Sequence, residues 1–181
     1  MRFPKGEVLH WSRRYSYADD DVEVREIGER SRLAGFLTRD DFLSLCEWKT
    51  RGRPRRHYIR NSEDAVRRQT AIALTSSEEE TRIRSLNALH GVSWPTASVF
   101  LHFAHKDPYP ILDVRALWSL QCERSYYTFD FWQAYVQACR ALAVDCGVSM
   151  RDLDRALWEY SSVNQQPKTK ADGKCFKKGN C

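Results

Sequence analysis

The sequence predicts an all-α fold. Apolar residues recur at 3–4 spacing in a series of segments, most opened by a capping residue. Sustained alternation of apolar and polar residues is missing, with only 22–27 reading ambiguously as a strand. Six Trp, eight Tyr and eight Phe in 181 residues supply enough apolar surface for a packed core, which excludes a disordered chain. Six to eight helices are expected, in one domain over 1–163 followed by a tail at 164–181.

The elements follow in order. Thr38 with Asp41 resembles a capping box ahead of Phe42, Leu45 and Cys46, and Gly52 with Pro54 marks the stop. Ser62 caps a segment reaching about Leu74. Ser77 with Glu80 caps the next, with Ile83, Leu86 and Leu89 on one face and Gly91 as its stop. Pro95 suits the first turn of an apolar helix over 96–105. After the turn cluster 107–110, Asp113 can cap a short helix over 114–120. A long helix is expected over 128–146, and Ser149 with Asp152 caps the last one, through Leu153, Ala156, Leu157 and Tyr160.

Charge is concentrated rather than spread. Of the formal net +5, residues 49–60 carry +6 without a single acid, and residues 166–181 carry +4. Two basic islands on a near-neutral body point to a polyanion partner or to a solvated loop and tail, on charge alone with equal weight. The tail holds one large apolar residue, Phe176, and is expected to be flexible. Among the six cysteines, Cys46, Cys122, Cys139 and Cys146 show no C-x-x-C spacing, and reduced thiols are expected of a cytosolic chain. No apolar run approaches the roughly 18–20 residues of a membrane helix, and no apolar segment follows Met1-Arg2-Phe3-Pro4-Lys5 as a secretory signal would require. A cytoplasmic protein without membrane contact is expected.

The segment 86–118 carries the chemistry. A helix ends at Gly91, a short turn follows, and a second helix begins at once. That leaves backbone N–H groups of the second helix outward beside small residues, where they can meet a phosphate. From spacing alone, an ordinary helical hairpin is the simpler account.

Leu89, Gly91, Val92, Thr96 and Ala97 match the pattern Leu-x-Gly-Val-Gly-x-x-Thr-Ala, and Asp113 follows Leu89 by 24 residues after the apolar approach Tyr109-Pro110-Ile111-Leu112. In this the chain resembles the helix-hairpin-helix (HhH-GPD) DNA glycosylases, closest in pattern to the endonuclease III and adenine glycosylase branch. The resemblance implies a two-lobed helical bundle with the hairpin at about 79–105 and a cleft between the lobes. It implies a carboxylate at Asp113 and a basic residue at Arg115. Ser93 departs from the second hairpin glycine, and Pro95 stands where bifunctional members carry a catalytic Lys. Cys175 and Cys181 match only the last pair of the family's cluster ligands, so no iron–sulfur cluster is expected. No other cofactor is expected, beyond a monovalent cation at the hairpin.

Breaking a base–sugar bond builds positive charge on the sugar, which a carboxylate can stabilise. Asp113 is the candidate, with a plain helix N-cap as its simpler role. Trp48 and Tyr58 are candidates for a base pocket. Lys49 is a candidate phosphate contact or amine nucleophile, and Glu47 a candidate acid for the leaving group. His90, Gly91, Val92, Ser93, Pro95 and Thr96 at the hairpin, with Arg51, Arg53, Arg55, Arg56 and Arg115, are candidate DNA contacts. Asp154, Arg155 and Trp158 are expected to be structural. The function expected is a monofunctional glycosylase, acting as a monomer on double-stranded DNA that contains a damaged or modified base. The alternatives are a non-catalytic hairpin DNA-binding protein and a glycosylase with lyase activity through Lys49.

Overall fold

The computed structural model describes residues 1–17, 21–51, 55–124 and 126–166. Arg53, Cys175, Cys181 and the tail beyond residue 166 lie outside them. Among the described residues there are ten α-helices and no strand: α1 (Val8–Arg13), α2 (Asp21–Ala34), α3 (Arg39–Thr50), α4 (Arg55–Tyr58), α5 (Glu63–Thr75), α6 (Glu79–Asn87), α7 (Trp94–Ala104), α8 (Val114–Ser119), α9 (Phe129–Cys146) and α10 (Met150–Asn164). The all-α expectation is met, with more helices than the six to eight expected.

Four expected caps are formed, at Thr38, Ser62, Asp113 and Ser149, and Thr128 adds a fifth. The side chains of Thr38, Ser62, Asp113, Thr128 and Ser149 each accept a hydrogen bond from a first-turn backbone N–H of α3, α5, α8, α9 and α10. The expected Ser77 cap is corrected. Helix α6 starts at Glu79 with Glu78 as its N-cap, and the Ser76 hydroxyl accepts from the Glu78 N–H at 3.0 Å, forming a tight turn that places the start. The ambiguous 22–27 segment is also corrected, since it belongs to α2. There Val24, Ile27, Gly28 and Ser31 form a buried helical stripe while Val22 stays exposed.

The core explains the order of the helices. Helix α7 is its centre, with Ala97, Val99, Phe100 and Leu101 almost fully buried. Phe42 of α3 stacks on Phe100 at 5.3 Å between ring centroids. Helix α2 crosses α7 at Gly28, where an added Cβ would stand 2.3 Å from the Phe103 carbonyl oxygen, so only a glycine allows this approach. Helix α10 packs on both α1 and α8. A buried ion-pair chain ties its first two turns to α2: Arg151 and Arg155 both reach the Asp21 carboxylate at 2.6 Å. Among the described residues, no helix is long and apolar enough to cross a membrane.

Candidate active site

Asp113 is fixed by the segment that leads to it. The Leu112 N–H donates to the Ser98 hydroxyl of α7 at 2.9 Å, the Tyr135 hydroxyl of α9 donates to the Ile111 carbonyl at 2.9 Å, and the His102 ring Nδ1 lies 2.6 Å from the Tyr109 carbonyl. Tyr109, Ile111 and Leu112 are all buried, so three anchors hold the backbone just before the carboxylate.

The two oxygens of Asp113 do different things. Oδ1 accepts from the Arg115 backbone N–H at 2.8 Å and caps α8. Oδ2 accepts from the Lys49 ammonium at 2.7 Å, with both side chains mostly buried. Burial works to push the Asp113 carboxyl up. The Lys49 charge and hydrogen bond, with the Arg115 N–H and guanidinium, outweigh it and hold the carboxyl below its usual value. The group is therefore an ionised carboxylate at neutral pH.

A cavity of about 380 Å³ opens over this pair. Its aromatic walls are Tyr15 and Tyr17 from the segment after α1, Trp48 from the last turns of α3, and Trp158 from α10. Trp158 meets both tyrosines edge-on, at 5.5 Å and 5.4 Å between centroids. Trp48 meets Phe103 in the same manner at 5.2 Å. Glu23, Glu47, Ser44 and Asp154 add polar groups to the wall. Asp154 and Trp158, expected to be structural, thus line the cavity.

The candidate cations around it are held. Arg51 lies 4.1 Å over the Tyr17 ring, and Arg115 lies 5.0 Å over the Trp158 ring. Glu47 pairs with Arg55. The Arg56 guanidinium is exposed and donates to the His57 ring at 3.3 Å.

The α6–turn–α7 unit lies on the other side of Lys49. A second, shallower cavity is lined by Lys49, Thr50 and Tyr58 on one side and Gly91, Ser93, Pro95 and Thr96 on the other, so Lys49 stands in the wall of both cavities. The turn is closed by Val92 N–H donating to the Leu89 carbonyl at 3.1 Å. It is clamped by Asn61, whose side chain accepts from the His90 N–H at 2.8 Å and donates to the His90 carbonyl at 3.0 Å. His90, Gly91 and Ser93 face solvent, and no side chain caps α7 at Ser93. Val92 and Thr96 are buried, so their side chains offer no contact there.

One expectation is corrected. Tyr58 does not line the aromatic cavity; it is 2% exposed and packs beneath the turn, against Gly91 and edge-on to Phe42. A ring next to a left-handed glycine is a support for the turn. Asn61 was missed by sequence reasoning, because a lone Asn ahead of a Ser cap carries no distinguishing pattern. Among the described residues, no group of three or more His, Cys, Asp or Glu side chains could hold a metal ion. No protein-family model matches the chain, and no curated protein or solved structure matches it significantly.

Proposed function

We propose that the chain is a DNA glycosylase that hydrolyses the bond between the sugar and a modified base turned out of the duplex. The observation that carries this is the ionised Asp113 carboxylate in the wall of an aromatic cavity, one lysine away from an uncapped helix start at an exposed turn.

Each part has a chemical task. The helix start and its turn offer backbone N–H groups and the positive end of a helix dipole to a phosphate, a contact that positions without reading sequence. Lys49 reaches both cavities, so it can pass from Asp113 to that phosphate when DNA arrives. Trp48, Trp158 and Tyr17 line the space in which an unstacked base can lie. Asp113 then faces the sugar, where it stabilises the positive charge that develops as the base departs.

A lyase step through Lys49 is the second reading, favoured by its 2.7 Å contact with Asp113. Asp113 could then take the ammonium proton and free the amine to attack the sugar carbon. Borohydride treatment of a complex with abasic-site DNA tests it: a covalent adduct in the parent and none in Lys49→Arg supports the lyase, and no adduct in either leaves the monofunctional enzyme.

The main test is abasic-site formation on a panel of duplexes, each carrying one damaged or modified base. The parent is expected to release at least one base, and Asp113→Asn to do so on the order of 10²–10⁴-fold more slowly while still binding DNA. Binding by the parent without release from any duplex would make this a DNA-binding module with Asp113 as a helix cap.

A further inference from the structure

A base that leaves the sugar takes the bonding electron pair with it and needs a proton. Asp113 is held as the charged carboxylate and does not supply one. The cavity wall carries three further carboxyls: Glu23, which is exposed, Glu47, which pairs with Arg55, and Asp154, the buried one.

Asp154 lies in the second turn of α10 and is 8% exposed. Its carboxyl pairs with Arg151 one turn earlier, and Arg151 is itself bound to Asp21, so the group cannot swing away without breaking a buried chain. Trp158, one turn later, places an aromatic wall on the same side of the helix. Acid and wall therefore arrive together in the cavity that holds Asp113 and Lys49.

We propose that Asp154 is a second catalytic carboxyl of this cavity, the proton donor to the departing base. This rests on the glycosylase reading of the cavity. The bond between C1′ and the base nitrogen breaks, and its electron pair passes to the base. The protonated Asp154 gives its proton to that base and becomes a carboxylate stabilised by Arg151. Water adds at C1′, its surplus proton leaves through Asp113 to solvent, and Asp154 is reprotonated from solvent. The sum is hydrolysis, with one water consumed and one base released.

The electrostatics agree with that division. Burial pushes Asp154 up to about 6, with the repulsion of Asp113 added, against the pull of Arg151, Lys49 and a hydrogen bond from the Ile111 backbone. The titratable and charged groups around it are Arg151 on α10, Lys49 on α3, Asp113 ahead of α8, Tyr15 after α1, and Tyr135 and Cys139 on α9, with Glu23 of α2 and Glu47 of α3 in the same cavity wall. Burial holds the two tyrosines and the cysteine well above their ordinary values, so they stay neutral where Asp154 changes charge. Two carboxyls moved to opposite sides of their usual value is the arrangement an acid working beside a fixed anion requires.

The experiment is single-turnover base release between pH 4.5 and 8.5 on a duplex that the parent cuts. The parent rate should fall about tenfold per pH unit above the Asp154 midpoint. Asp154→Asn should be about 10- to 100-fold slower at pH 5 and should lack that fall. Asp154→Glu keeps a carboxyl and should retain the fall with its midpoint moved, which covers the case of an Asn variant that does not fold. An Asn variant that keeps the parent's fall, merely scaled down, would overturn the proposal and leave the glycosylase reading intact. A parent that binds DNA and releases no base would defeat both.

Discussion

The Tyr58 ring lies where a side chain on Gly91 would have to go. A Cβ built at Gly91 stands 3.0 Å from two ring carbons of Tyr58 and 2.8 Å from the Cβ of His57, and the glycine has φ +83°. Both the space and the left-handed backbone exclude other residues, so the turn between α6 and α7 depends on this contact. It also ties the turn to α4, which the Asn61 clamp from the segment after α4 reinforces.

Gly91→Ala should therefore destabilise the protein by about 1–3 kcal/mol, through strain at positive φ plus displacement of an aromatic ring. Urea unfolding measures it. If the proposed DNA interface is right, DNA affinity should fall with it, because the turn and the start of α7 are repositioned. A variant as stable as the parent would mean that the Tyr58 contact relaxes freely.

Lys49→Met keeps the apolar stem and removes the charge. Lys49 is the strongest influence holding Asp113 down, so its loss should raise the Asp113 carboxyl. In the proposed mechanism Asp113 works as the charged form, so the acid limb of base release should move to higher pH. Stability should drop by about 1–3 kcal/mol, because a mostly buried carboxylate loses its partner. An unmoved acid limb would show that another group governs it.

Arg56 is exposed on α4, in the basic segment next to the turn between α6 and α7. If it neutralises one phosphate, Arg56→Ala should reduce the slope of log affinity against log salt by about 0.9. Fluorescence anisotropy with an unmodified duplex between about 50 and 300 mM salt reads this independently of any base release. A slope identical to that of the parent would remove Arg56 from the interface.

How much of this was legible depended on the range of the chemistry. Caps act within three residues, so Thr38, Ser62, Asp113 and Ser149 could be read from the sequence. Helix α2 was harder, because its buried stripe includes Gly28 and Ser31, whose fit is set by α7 and not by local pattern. Asp113 and Lys49 were each candidates, but their contact joins residues 64 apart and follows only from the packing of α3 and α7 and the anchors at 109–112. Asp154 did carry a signal. It falls on the buried face of α10 with Met150, Leu153, Leu157 and Ser161, and an acid on an apolar stripe is out of place unless something there needs it.

Asp154 also makes a prediction about stability that needs no substrate. Its carboxyl, pushed up to about 6 in the folded protein, stands above the ordinary aspartate value of 3.8. A raised acid contributes stability that is fully present below the unfolded value and is lost as pH rises through the folded one. Asp113, held down, behaves oppositely: its contribution is present above the ordinary value and fades only as pH falls through the lowered one. The two windows therefore separate, with Asp154 acting between about pH 4 and 7 and Asp113 below it. The stability of the parent relative to Asp154→Asn should decline by roughly 2–3 kcal/mol from about pH 4 to pH 7, because the folded and unfolded values stand about two pH units apart and each corresponds to about 1.4 kcal/mol. Urea unfolding of both proteins across that range measures the difference. A constant difference would mean that Arg151 keeps Asp154 charged throughout, and the carboxyl would then have no proton to give in the neutral range.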